Sequence, residues 1–235
     1  MHNNVMAIVA HPDDELIGVG GTLIKHVENG DRVSVLILGT GISSRYDIYE
    51  NKEIEQSREI FKKTDQLKRI SEKVAKYLRY NVYFDNLIDQ RFDIIPLLEI
   101  VKIIESWIFS IKPNIVYTHS YTDLNIDHRL TFDAVLTATR PCNNDQVKKI
   151  YAFETLSSTE WQFQDSKSFK PNYFNAISLD ILNEKIAALR MYKDELRESP
   201  HPRSIDKIID KASVNGSTIL KQYAEAFEII RIIKD

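Results

Sequence analysis

The chain has 235 residues, 43% hydrophobic and 28% charged, the balance of a globular protein with a sizeable core. A formal charge of −3 gives no general attraction to nucleic acid or anionic membrane, and a single cysteine, Cys142, excludes an intrachain disulfide. No apolar run approaches the ~18 residues that cross a bilayer. The start, M-H-N-N-V-M-A-I-V-A, lacks the basic segment of a secretory signal, so a cytoplasmic protein is expected.

The first element is the apolar run Val5–Ala10, read as a buried strand that changes character at one residue into H-P-D-D-E. His11, Asp13 and Asp14 therefore belong at a strand's carboxyl end, where open α/β sheets bind ligands. Pro12 fixes its own φ and biases His11 toward extended backbone, which stiffens the turn. Imidazole nitrogen and carboxylate oxygen are the donors of a catalytic zinc site, which needs three protein ligands and an open position. The plainer alternative is that Asp13, Asp14 and Glu15 cap and charge the start of the helix that follows.

That helix is predicted over Gly18–Asn29, where Gly18, Gly20 and Gly21 permit close packing. G-V-G-G lacks the third glycine of a dinucleotide fingerprint, and the next strand, Val33–Leu38, does not end in a ribose-binding acid. A helical stretch over Asn51–Arg79 carries basic residues interleaved with acids, the pattern of a solvated face. Next come a strand at Asn81–Phe84 and a helix over Pro96–Ile111 with a wide apolar face, Leu97, Leu98, Ile100, Val101, Ile103, Ile104, Trp107 and Ile108. A strand at Asn114–Thr118 then leads into a polar loop with Asp123, Asn125, Asp127 and His128, ahead of a helix over Arg129–Arg140. Two strand-to-helix crossings thus deliver histidine and aspartate to one edge of the sheet.

Further strands are expected at Ile150–Phe153 and Phe174–Ser178, with a long loop at Ser157–Pro171. Leu179–Leu196 reads as a helix with Glu184, Lys185, Arg190, Lys193, Asp194 and Glu195 on its solvated face, and Ser204–Asn215 as a shorter one. Tyr223–Ile233 fits helix or strand. The alternation implies βαβ units, a mainly parallel Rossmann-like sheet with helices on both faces, and one domain over residues 1–235.

A-H-P-D-D-E at Ala10–Glu15, paired with D-L-N-I-D-H-R at Asp123–Arg129, resembles the two signature motifs of the PIG-L and LmbE-like N-deacetylases. D-Q-R-F-D at Asp89–Asp93, P-H-P-R-S at Pro200–Ser204 and Y-A-E-A-F at Tyr223–Phe227 extend the likeness along the chain. The resemblance implies a metal-dependent hydrolase that removes acetyl groups from N-acetylated amino sugars and related glycoconjugates. It makes His11, Asp14 and His128 the metal ligands and Asp13 the catalytic base. Zinc is the implied ion, although a His₂Asp site also accepts Fe²⁺ or Mn²⁺. Related proteins are often homo-oligomers.

On this reading a water on the metal is the nucleophile, and Asp13 takes its proton and passes it to the leaving amine. Many members carry a histidine three residues before the second-motif ligand; this chain has Asn125, which donates a hydrogen bond but carries no charge. Asp127 is expected to orient a neighbouring imidazole, or else to cap the helix at Arg129–Arg140. His119 falls behind the ligands or is simply buried and bonded, while His2 and His26 are expected to be solvated. His201, between Pro200 and Pro202, is a candidate source of the positive charge that Asn125 lacks. Arg45, Asp89 and Arg91, in loops at the same sheet edge, are candidates for holding the sugar. Two other readings stand beside this one: hydrolysis of another glycoconjugate amide, and a sugar-binding protein of this fold that has lost catalysis.

Overall fold

The computed structural model describes residues 2–42, 53–141, 147–163 and 168–234, with 53–57 described by backbone alone. Strand β1 (Asn4–Val9) is buried along nearly its whole length. It lies between β2 (Arg32–Gly39) and β4 (Ile115–His119), parallel to both. With β3 (Asn81–Leu87), β5 (Lys149–Phe153), β6 (Tyr173–Ile177) and β7 (Tyr223–Ile232) it forms one seven-stranded sheet, ordered β3-β2-β1-β4-β5-β7-β6. Strands β1 to β5 run parallel, and β7 is antiparallel to both β5 and β6. The order reverses between β1 and β4, the point at which such sheets open a crevice outside their carboxyl ends.

Successive residues of a strand face opposite sides, so each central strand supplies two cores. Val5, Ala7 and Val9 pack with helices α1 (Asp14–Glu28), α2 (Glu53–Leu78), α5 (Leu179–Leu189) and α6 (Ile205–Thr218). Met6 and Ile8 pack with α3 (Leu97–Ile111) and α4 (Ile126–Ala138) on the other face. The apolar stripe of α3 is narrower than its sequence suggests: Ile100, Val101, Ile104 and Ile108 are buried, whereas Leu98 is 61% exposed. Helix α1 sits so close to β5 that a Cβ on Gly18 would lie 2.1 Å from Phe153 Cδ2, while one on Gly20 would meet nothing nearer than 3.4 Å.

Three expectations need correction, and the open choice at Tyr223–Ile233 is resolved. Helix α4 begins at Ile126, not Arg129, because Asn125 caps it by accepting the Asp127 N–H at 2.9 Å. Leu179–Leu196 is helical only to Leu189, and two of its supposedly solvated residues, Lys185 and Glu195, are buried. Tyr223–Ile232 is a strand. It carries two buried acids, Glu225 and Glu228. Glu225 accepts the Gly21 and Thr22 N–H groups and the Lys185 ammonium, the last at 2.7 Å, locking α1, α5 and β7 together. His26 is not solvated; its ring nitrogens bond Asp31 at 2.6 Å and the Tyr117 hydroxyl at 3.0 Å.

Candidate metal centre

The turn after β1 separates three consecutive acids. Asp13 is the residue before α1 and adopts a left-handed backbone, φ 90° and ψ −25°, which costs a non-glycine residue about 1–3 kcal/mol. Its side chain makes no capping bond. Asp14 turns inward, where Oδ2 accepts the His11 N–H at 2.9 Å. Glu15 reaches back, and Oε2 accepts the Asp13 N–H at 3.1 Å. Simple helix capping therefore does not describe Asp13 or Asp14.

Asp14 Oδ2 lies 3.4 Å from His11 Nδ1 and 3.4 Å from His128 Nε2. Zinc bonded at ~2.0–2.1 Å in a tetrahedral arrangement holds its donor atoms ~3.3–3.4 Å apart; both separations from Asp14 Oδ2 match that spacing, and the three donors lie within 4.8 Å of one another. Three buried atoms of the trio, Asp14 Oδ1 and both ring nitrogens of His128, have no hydrogen-bond partner. Such orphaned groups are rare in a folded interior and point to an ion. The buried carboxyl groups of Asp13, Asp14, Asp89, Asp123, Asp127 and Glu195 surround the histidines, with Arg203 as the cation facing them. The donor set fits a divalent metal.

Behind the donors, each imidazole meets another carboxylate. His11 Nε2 lies 3.0 Å from Asp127 Oδ2 and 2.9 Å from Asp89 Oδ1, partners that favour a proton on Nε2 and so Nδ1 as the nitrogen for a cation. Asp127 is itself held by the backbone N–H groups of Gln90 and Phe92. His128 Nδ1 lies 3.2 Å from Asp123 Oδ2, and Asp123 is anchored by the hydroxyls of Ser158 and Thr159. Burial presses the His128 imidazole down, but the charges of Asp14 and Asp123 carry it up to about 9. Burial likewise opposes ionisation of Asp123, yet His128 and the two hydroxyls hold its carboxyl at about 2.

His119 is not a ligand. Its Nε2 accepts the Ala10 N–H at 2.9 Å and Nδ1 pairs with the Thr155 hydroxyl, tying the ends of β1 and β4. Its ring stacks on His128 at 3.9 Å, and burial followed by the His128 charge drops it to about 3, a neutral spacer.

Beside the cluster is a cavity of about 140 Å³ lined by His11, Pro12, Asp13, Gly41, Asp89, Gln90, Asn125, Glu195 and Arg203. Asp13 Oδ2 faces it, 3.1 Å from Arg203 Nη1, and Arg203 Nε donates to Ser157 Oγ at 2.9 Å. Burial pushes the Asp13 carboxyl well up, and Arg203 opposes that rise. Asn125 also lines the cavity; its Oδ1 is committed to the cap of α4, so its NH₂ is the group offered to a ligand.

Of the sequence-derived candidates, the structure brings together His11, Asp13, Asp14, Asp89, Asn125, Asp127 and His128. His201 lies outside the cavity lining: its ring packs edge-on to Trp161, and Nδ1 accepts the Arg203 N–H at 3.0 Å. Arg203, two residues on, occupies the place anticipated for His201. Arg91 is half-buried and does not line the cavity, and Arg45 lies outside the described residues. Sequence reasoning missed Arg203 and Glu195 and gave Asp123 no role. The available signal was P-H-P-R-S itself, whose arginine follows the second rigid proline.

Known structures place this geometry. The chain aligns over 97% of its length with 83% of the N,N'-diacetylchitobiose deacetylase of Pyrococcus horikoshii, at TM-score 0.72 and 20% identity. It aligns over its full length with 99% of GalB, the 4-carboxy-2-hydroxymuconate hydratase of Pseudomonas putida KT2440, at TM-score 0.73 and 18% identity. The architecture is the LmbE-like α/β fold, and one fold hosts both a deacetylase and a hydratase. In sequence, 191 residues, 80% of this chain and 90% of the relative, are 27% identical to the uncharacterized deacetylase YaiS of Escherichia coli K12. Residues 6–139 match the family described as PIG-L: GlcNAc-PI de-N-acetylase, and the chain belongs to that family. Both signature motifs lie within the matched span.

Proposed function

We propose that this protein is a metal-dependent N-deacetylase that hydrolyses the acetamide of an N-acetylated amino sugar or sugar conjugate. The observation that carries the proposal is the split between Asp14, held 3.4 Å from two imidazoles, and Asp13, facing a polar cavity beside Arg203. His11, Asp14 and His128 would hold the ion, with zinc favoured by the nitrogen-rich donor set. A divalent cation there supplies Lewis acidity, polarising an amide carbonyl and making a water molecule more acidic.

The protein's own groups do the rest. Asp13 accepts the proton of the attacking water and returns it to the amine nitrogen as the C–N bond breaks, giving acetate and a free amine. Arg203 opposes the rise that burial gives the Asp13 carboxyl and aims it at the cavity, and is itself fixed by Ser157. The Asn125 NH₂ is a donor for negative charge developing on the substrate, in the position where relatives carry histidine. Asp89 on the cavity wall is suited to accept a sugar hydroxyl. The family membership and the chitobiose deacetylase of the same fold support the substrate class.

Acetate release from a panel of N-acetylhexosamine derivatives tests the reading. Asp13→Asn should keep about one metal per chain while turnover falls by roughly 10²–10⁴-fold. A metal-free protein with intact sugar affinity would support the non-catalytic reading instead.

A further inference from the structure

We infer that Glu15 is a positioning residue for Asp13, and that its buried bond to the Asp13 backbone is what makes two adjacent aspartates do different work. The inference rests on the deacetylase reading for its kinetic consequence, but the geometry stands by itself. Glu15 is fully buried, although it lies in the first turn of a helix, where an acid that merely complements the dipole remains in water. Its Oε2 accepts the Asp13 N–H at 3.1 Å, and Oε1 lies 3.3 Å from the Tyr80 hydroxyl and 3.2 Å from the Tyr192 hydroxyl. The Tyr192 hydroxyl, with one proton to share between Glu15 and Ser71, also lies 2.9 Å from Ser71 Oγ on α2, and Ser71 donates to the Leu67 carbonyl at 3.1 Å. The carboxyl group is thereby held by Tyr80, in the segment after α2, and by Tyr192, in the segment after α5.

The group so fixed grips the one residue of the turn with a left-handed backbone. In an ordinary extended turn at Asp13 the direction of its side chain would change relative to Asp14. The strained conformation turns the Asp13 carboxylate toward Arg203 and the cavity while Asp14 remains with His11 and His128. Strain of this kind persists only where the surroundings over-determine it, and Glu15 with its two phenols provides that constraint. Sequence alone offers Glu15 only as a helix-start acid.

Two readouts test this, one of them independent of turnover. In the wild-type protein the Asp13 amide should exchange hydrogen as slowly as the central amides of β1, because its acceptor is buried. Glu15→Met, which keeps the volume and removes the acceptor, should speed that exchange at least about tenfold. Glu15→Gln retains a carbonyl for the Asp13 N–H and an NH₂ for a phenol oxygen, and should retain the protection. In kinetics, Glu15→Met should lower kcat by about 100-fold with KM nearly unchanged, since misplacing a base by an ångström costs about that much. Glu15→Gln should restore most of the rate. Added to Asp13→Asn, Glu15→Met should cost little more, because both changes remove the same contribution.

An Asp13 amide that exchanges freely in the wild type would overturn the inference without any variant being made. So would unchanged protection or unchanged kcat in Glu15→Met, or a full second loss on the Asp13→Asn background. If the wild type releases no acetate from any substrate, the deacetylase reading fails, and the exchange data still decide the role of Glu15.

Discussion

Asp13 and Asp14 are neighbours in the chain, yet Asp13 Oδ2 lies 3.1 Å from Arg203 and Asp14 Oδ2 lies 3.4 Å from His128. One carboxylate is paired most closely with Arg203 across the cavity, and the other is paired with imidazoles in the interior, its Oδ1 3.9 Å from the same guanidinium. Burial raises the Asp13 carboxyl, whereas the histidines outweigh burial and hold Asp14 well below its ordinary range. Two identical side chains thus acquire opposite proton affinities from their surroundings, the difference that the proposed roles of base and metal ligand require.

The carboxylates behind the imidazoles should matter for metal affinity. Asp127→Asn and Asp123→Asn remove charge from groups 3.0 Å and 3.2 Å from His11 and His128, the proposed ligand histidines. Each is expected to weaken binding by about 10–100-fold, read by competition with a chelator of known affinity. His128→Ala should abolish stoichiometric binding. Equal affinity in all three variants would place the ion elsewhere.

Arg203→Ala removes the guanidinium that touches Asp13 and Ser157. Metal content should be unchanged and kcat should fall by about 10–100-fold, the scale of one misplaced catalytic group. Added guanidinium ion should restore part of the loss, because the vacated volume adjoins the open cavity. His201→Ala should cost much less, its ring being outside the lining.

The parts of this molecule that sequence reveals are those with an abrupt local signal. Val5–Ala10 changes from apolar to H-P-D-D-E at one residue, and the strand and its site candidates were legible together. The second cluster was legible because D-L-N-I-D-H-R also follows an apolar run. Arg203 was not, because it reaches Asp13 from a loop 190 positions away, and a loop has no periodicity to betray a long-range contact. Its neighbour His201 drew the reading because imidazole is the commoner catalytic group. Lys185 misled for a related reason: it reads as solvated, and only its pairing with Glu225 permits both to be buried.

That pair yields a stability prediction. Lys185→Met leaves Glu225 buried without its cation, although two backbone N–H groups still bond it. Removing one partner of a buried pair typically costs about 3–5 kcal/mol. For a chain of this size the melting temperature should drop by roughly 6–20 °C. A Tm within a degree or two of wild type in calorimetry would contradict the assignment.

Asp31 links the starts of β1 and β2 by accepting from the Asn3 N–H at 2.6 Å and from His26 at 2.6 Å. Burial works against its charge, but those bonds hold the carboxyl below its ordinary range. A depressed folded pKa means the contribution is present above the unfolded value of about 3.9 and is lost as pH falls through the lower folded value. Asp31→Asn should therefore cost about 1 kcal/mol at neutral pH. The gap between variant and wild type should close below about pH 3.9, followed by urea denaturation across pH.

Zinc titrated into metal-stripped protein, with acetate release from N,N'-diacetylchitobiose and related N-acetylhexosamine derivatives as the readout, tests the central claim most directly. The account expects release to rise with added zinc to a plateau at one equivalent per chain, and no release at any zinc level from His128→Ala. Acetate release that is independent of metal, or that survives in His128→Ala, would contradict it.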